Sequence, residues 1–216
     1  MKTFVSIGTG PGMGFATAER FAREGYTVVL AARSADKVRD LATQLTGKGL
    51  KAEAATVDTS NGASVETLIH DVKRRHGSVD VVHYNAASMR GAKIGDQPTD
   101  TFVSDLATNI GGAQAAAKAA EKVMAAQGAG SILLTGGGFA LAPSPDYISL
   151  SIGKAGIRAL AQGLFEDFKT KNIHVATVTV AAWVSPGSDH AGAVAEHFWK
   201  LHNEKPGTWT NEVQYS

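Results

Sequence analysis

Glycines at positions 8, 10, 12 and 14, directly behind the apolar run Thr3-Phe4-Val5-Ser6-Ile7, are the residues of this chain whose type and spacing define a chemistry most narrowly. A turn this rich in glycine bends sharply and lets a ligand come against backbone N–H groups. A helix starting there adds the positive end of its dipole. Such a turn suits a pyrophosphate, and Gly8, Gly10, Gly12, Met13 and Gly14 are its candidate binding residues. The tip of the next strand, about 20 positions on, is where a dinucleotide's ribose is read. There the chain has Ala32, Arg33 and Ser34 and no acid. A carboxylate would bond the 2′-hydroxyl of NAD, whereas a guanidinium suits a 2′-phosphate. NADP is therefore the expected cofactor, with NAD less favoured, and Arg33 and Ser34 are its candidate contacts. The plainer alternative makes Arg33 a solvated residue after a strand.

The hydrophobic pattern supplies the frame for these residues. The segment 27–33 reads as a second strand, and Ser34 then caps a helix with Val38, Leu41, Ala42 and Leu45 on one face. A third strand is expected over 51–58. Ser60 or Asn61 opens the next helix, which carries Val65, Leu68, Ile69 and Val72 and ends in a basic turn before Gly77. Strands follow at 79–84, 131–135, 173–181 and 211–215, with helices at 101–127, 147–169 and 192–202. Strands alternating with helices require right-handed crossovers and a parallel sheet covered on both faces. The expected fold is α/β, a doubly wound parallel sheet of the Rossmann type with about seven strands, forming one domain over 1–216.

Composition removes several classes of function. The absence of cysteine excludes disulfides, thiolate metal sites and a cysteine nucleophile. A net charge of +1 over 216 residues provides no basic stripe for nucleic acid. No run of 18 apolar residues is present, and the glycines at 8 to 14 interrupt any secretory signal, so a cytoplasmic protein with no membrane contact is expected. The seven histidines are scattered, so no metal is assigned. Trp183, Trp199 and Trp209 read as core or interface residues, and Tyr84 as either a site-lining or a packing residue.

Together these residues resemble the short-chain dehydrogenase/reductase family over nearly the whole chain. The spacing Gly8-x-x-x-Gly12-x-Gly14 is similar to that family's loop, Asp58 resembles its adenine-contacting acid, and Asn85-Ala86-Ala87 resembles its Asn-Ala-Gly motif. Asn109 resembles its structural and catalytic asparagine, and Lys154 the lysine of its Tyr-x-x-x-Lys motif. The resemblance implies catalytic roles for Asn109 and Lys154, and cofactor contacts from Asp58, Asn85, Ala86 and Lys154. It also implies a homodimer or homotetramer built on the two long helices.

Two members of the family's set are missing. The tyrosine position holds Leu150, and the serine position, thirteen residues earlier, holds Gly137. A carbonyl that receives a hydride needs a proton, and leucine has none to give. Tyr147 lies two turns from Lys154 on the helix, and Ser151, three residues before Lys154, is the nearer substitute. The expected function is that of an NADP-dependent oxidoreductase with an incomplete catalytic set, acting on a small carbonyl or alcohol. The alternative is a non-catalytic dinucleotide-binding redox sensor or partner subunit. A third reading takes Ile7-Gly8-Thr9-Gly10-Pro11-Gly12 as the loop of an S-adenosylmethionine methyltransferase, but the acids that such a site needs are absent.

Overall fold

The computed structural model describes residues 2–216. Its strands are β1 (Thr3–Ile7), β2 (Thr27–Ala32), β3 (Ala52–Thr56), β4 (Val81–Tyr84), β5 (Gly130–Thr135), β6 (Ile173–Val180) and β7 (Glu212–Tyr215). They form one sheet in the order β3-β2-β1-β4-β5-β6-β7, with every neighbouring pair parallel. The helices are α1 (Met13–Arg23), α2 (Ala35–Gly47), α3 (Gly62–His76), α4 (Thr99–Leu106), α5 (Gly112–Gln127), α6 (Ile148–Lys169) and α7 (Asp189–His202). This is the doubly wound Rossmann arrangement expected from the alternation of strand and helix.

Alternation along each strand divides the core into two layers. Val5, Ile7, Val29, Ala31, Ile132 and Leu134 pack with Val65, Ile69, Val72, Ala116, Ala120 and Ile157, under α3, α5 and α6. Phe4, Val28, Leu30, Val81 and Leu133 pack with Phe21, Val38, Leu45, Val194 and Phe198, under α1, α2 and α7. Because both faces are buried, the strands read as nearly unbroken apolar runs. The outer layer is also tied by charge. Arg20 Nε lies 2.7 Å from Glu196, and its guanidinium sits 4.6 Å over the ring of Trp199.

Several boundaries differ from the sequence reading. Asn61, not Ser60, caps α3, its side-chain oxygen accepting from the amides of Ala63 and Ser64. Ser34 occupies the N-cap of α2 with extended backbone, but its side chain makes no capping bond. The helix expected over 101–127 is interrupted. A π-helical turn, Ala107–Gly111, separates α4 from α5. Such turns carry an extra residue and re-aim a side chain, here Asn109. Asn109 Oδ1 accepts from the Ser88 amide at 2.6 Å.

Candidate functional site

Ligands of open parallel sheets bind beyond the carboxyl ends of the strands, where the strand order reverses. Here that point lies between β1 and β4, whose last residues, Ile7 and Tyr84, pair in register. The chain leaves these strands as Gly8 and Asn85, so the loop glycines and the Asn-Ala pair meet without any designed loop between them. Gly8 has φ +81°, and a Cβ there would lie 2.4 Å from both the N and Cα of Ala86. Only glycine fits this crossing. The amides of Gly8 and Thr9 both donate to the Ala31 carbonyl, and Asn85 Nδ2 donates to the Gly8 carbonyl at 3.0 Å.

One cavity of about 610 Å³ opens over this crossing. Gly8, Gly10 and Met13 line it from the first loop, Arg33 from the end of β2, Asn85 and Ala86 from the end of β4, and Lys154 from α6. A Cβ on Gly10 would meet nothing within 4 Å, so the loop leaves open space where a ligand can lie against it. Phe15 and Ala16 donate to the Gly10 and Gly12 carbonyls, and no side chain caps Gly12. The amide of Met13, on the cavity wall, is thereby left for a ligand.

Other candidates lie outside the lining. Gly12 is half-buried and does not line the cavity, and Gly14 packs on Asn85, where a Cβ would stand 3.0 Å from Nδ2. Ser34 is exposed beyond Arg33. Asp58 is exposed too, and accepts from the Ser60 hydroxyl and amide. Those bonds, followed by the charge of Arg33, hold its carboxyl below the usual range. Asn109 is bonded to the Ser88 amide and does not line the cavity. Ser151 is not the nearby substitute suggested by spacing, because its hydroxyl donates to the Tyr147 carbonyl and it does not line the cavity. Tyr147 stacks on Phe139. Tyr84 is a packing residue, its hydroxyl donating to the Thr108 carbonyl.

The cavity also contains residues that the sequence reading missed. Trp183, assigned there to core or interface, is 75% exposed and lines the cavity with Met89, Phe139 and Leu150. Its place just past the end of β6 was the signal. Beneath the floor, His83 Nε2 lies 3.0 Å from Thr135 Oγ1, which donates to Asn85 Oδ1. Burial, then the charge of Lys154, pushes the His83 ring down to about 3. Lys154 Nζ donates to the Thr135 carbonyl at 2.8 Å. Burial pulls its ammonium down to about 8.

A model of the short chain dehydrogenase family matches residues 2–191, and the chain belongs to that family. It is 31% identical over 180 residues to an uncharacterized oxidoreductase of Staphylococcus aureus (strain MRSA252), covering 82% of this chain and 76% of that protein. An uncharacterized oxidoreductase of Bacillus subtilis (strain 168), YxbG, is 28% identical over 196 residues, covering 90% of this chain and 71% of its own. A short-chain dehydrogenase from Rhodopseudomonas palustris superposes with TM-score 0.90 at 24% identity, covering 100% of this chain and 98% of that one. A metagenomic short-chain oxidoreductase in complex with NADP superposes with TM-score 0.90 at 22% identity, over 99% of this chain and 96% of its own. The likeness to the two solved structures is one of fold. The family is one of oxidoreductases that bind a nicotinamide dinucleotide. Among the described residues no helix is long and apolar enough to cross a membrane.

Proposed function

We propose that the chain is an NADP-dependent oxidoreductase acting on a small carbonyl compound or the corresponding alcohol, with Asn109 and Lys154 kept and the serine and tyrosine positions held by Gly137 and Leu150. One observation carries this reading: the glycine loop, Arg33 and Lys154 line a single cavity. The residues present fit the dinucleotide. Gly10 leaves room for a diphosphate, and the Met13 amide offers it a donor. The guanidinium of Arg33, on the cavity wall just past β2, would hold a 2′-phosphate, and no carboxylate lines the cavity there. The NADP complex of a structural neighbour is consistent with this choice. Asp58, within reach of the charge of Arg33, would contact the adenine, and Ser34, next along the chain from Arg33, would join it at the phosphate.

When bound, the dinucleotide supplies or accepts a hydride. The chain's residues orient the reactants and exclude water. Asn85 and Ala86 hold the first loop in place, Lys154 on the cavity wall would bond the ribose hydroxyls, and Asn109 fixes the chain at Ser88. Met89, Phe139, Leu150 and Trp183 make the remaining wall apolar, which suits an apolar substrate body. The single sheet supports treating 1–216 as one dinucleotide-binding domain.

A thermal-shift titration with NADPH, NADH and S-adenosylmethionine tests the reading. At a hundredfold excess over Kd, a ligand bound only by the native state adds about 2.7 kcal/mol, or roughly 5–10 °C in a chain of this size. NADPH is expected to give the largest shift, NADH a smaller one and S-adenosylmethionine none. No shift with either nicotinamide coenzyme overturns the proposal. Arg33→Ala is expected to weaken NADPH binding by about 10- to 100-fold, the worth of a charge-assisted contact, while NADH binding changes little. Equal losses for both coenzymes in calorimetric titration would remove Arg33 from the phosphate site.

A further inference from the structure

Among the described residues, two side chains with a formal charge line the cavity, Arg33 and Lys154, and no carboxylate, imidazole, phenol or thiol joins them. A guanidinium does not give up a proton in a protein, and Arg33 belongs to the corner at the end of β2. Threonine hydroxyls also line it but are far weaker acids, which leaves Lys154 as the one lining group that titrates near neutral pH. Its placement depends on Gly137. A Cβ at that position would stand 3.1 Å from Cγ, Cδ and Cε of Lys154, so the lysine stem lies in room left by the missing side chain. One of its three N–H donors goes to the Thr135 carbonyl, which leaves two for ligands in the cavity. Leu150 lines the same cavity and contributes no polar atom.

We propose that Lys154 itself is the proton donor for reduction of a small carbonyl compound, its stem lodged in the space that Gly137 leaves. The inference rests on the dinucleotide-dependent reading above. In the step, the carbonyl carbon gains a hydride, with its electron pair, from the reduced nicotinamide coenzyme, and the C=O π bond breaks. The oxygen takes a proton from the Lys154 ammonium, leaving a neutral amine that recovers its proton from water. The carbonyl compound is reduced and the coenzyme oxidised.

The surroundings permit both states of the amine. Burial lowers the ammonium to about 8, so the neutral form is reached without strong base. On β4, His83 is held neutral and Tyr84 binds the Thr108 carbonyl. On α4, Asp105 is held by Arg90, Ser88 and Ser149. On α6 itself, Arg158 is paired with Glu212. Lys154 forms no ion pair among the described residues, so no carboxylate holds its proton in place.

The test uses the full chain labelled with ¹³C at lysine Cε, and the variant Lys154→Arg, which keeps the cation but cannot give up a proton in the pH range of the assay. A parallel Lys154→Gln variant keeps a donor for Thr135 without a titrating group. In the absence of coenzyme, the NMR signal missing from both variants should titrate near pH 8, against about 10.4 for an ordinary lysine. With NADPH and a panel of small apolar aldehydes and ketones, wild-type reduction should fall as pH rises through that midpoint, since the acid form is the active one. Lys154→Arg should still show an NADPH thermal shift, smaller than the wild type's because the ribose contact is altered, lose at least about 100-fold in kcat, and lose the alkaline fall. A signal titrating near 10.4, a Lys154→Arg variant with the wild-type rate, or coenzyme binding without turnover across the panel overturns the lysine proposal. Each of these leaves dinucleotide binding standing. Absence of an NADPH shift in the wild type is the separate failure of the parent reading.

Discussion

Replacing Gly8 with alanine is expected to destabilise the protein by about 3 kcal/mol and to abolish measurable coenzyme binding. Two effects add. A residue with a Cβ at φ +81° loses roughly 1–2 kcal/mol through its own backbone. The new methyl group would also lie 2.4 Å from the backbone N and Cα of Ala86, a contact no rotamer can relieve. Forcing such an overlap apart costs about 1–3 kcal/mol more. Its relief must move Ala86 and Asn85 relative to the first loop, and the Asn85 bond to the Gly8 carbonyl breaks with them. Urea denaturation should show a lower midpoint with an unchanged slope, and calorimetry no NADPH binding. A variant with the wild-type midpoint would mean that the crossing does not constrain the site.

The second large effect is a gain. Leu150→Tyr is expected to raise NADPH-dependent reduction by about 100-fold, since general-acid catalysis spans about 10²–10⁴ and a placed phenol reaches the upper end of that range, where Lys154 supplies the lower. Leu150 is 3% exposed and borders open cavity, so the added ring has volume to enter. The nearby ammonium should lower the phenol from its usual value of about 10. Adding Gly137→Ser should not simply multiply the gain. Its Cβ would stand 3.1 Å from three carbons of the Lys154 stem, which must shift by a few tenths of an ångström and so strains the ammonium's bond to Thr135. Contacting residues of this kind are non-additive. The measurement is kcat across pH for both variants with one aldehyde. A Leu150→Tyr protein that folds, binds NADPH and reduces no faster than the wild type would show that proton supply does not limit the reaction.

Much of this was legible from the sequence because the signals are local. An apolar run, a cluster of glycines and a helix period place Gly8, Gly10, Met13 and Arg33 without knowledge of the rest of the chain, and both faces of the sheet follow from Val5, Ile7 and Phe4. What stayed hidden depends on contacts distant in sequence. The π turn at Asn109 is an extra residue within an alanine-rich stretch, and only Ser88, 21 residues earlier, shows why it is there. Trp183 has no periodic partner, so the residue type alone suggested burial. Gly137 read as an absent hydroxyl, and its use as space for Lys154 became visible only once α6 was docked against the end of β5.

The polar residues under the floor also have a fixed direction. The Gly8 carbonyl can only accept, so the Asn85 amide nitrogen must face it, and the Asn85 oxygen must face Thr135. The Thr135 hydroxyl gives its single hydrogen to that oxygen, and the ring of His83 must therefore supply one from Nε2. One tautomer is imposed, and Nδ1 is left as a bare lone pair in the apolar layer, where it has no partner. Rotating any one of these groups would set two hydrogens or two lone pairs against each other at the next junction. The diphosphate loop and the strand end that anchors the lysine are therefore oriented as a single unit, with its polarity dictated from the Gly8 end.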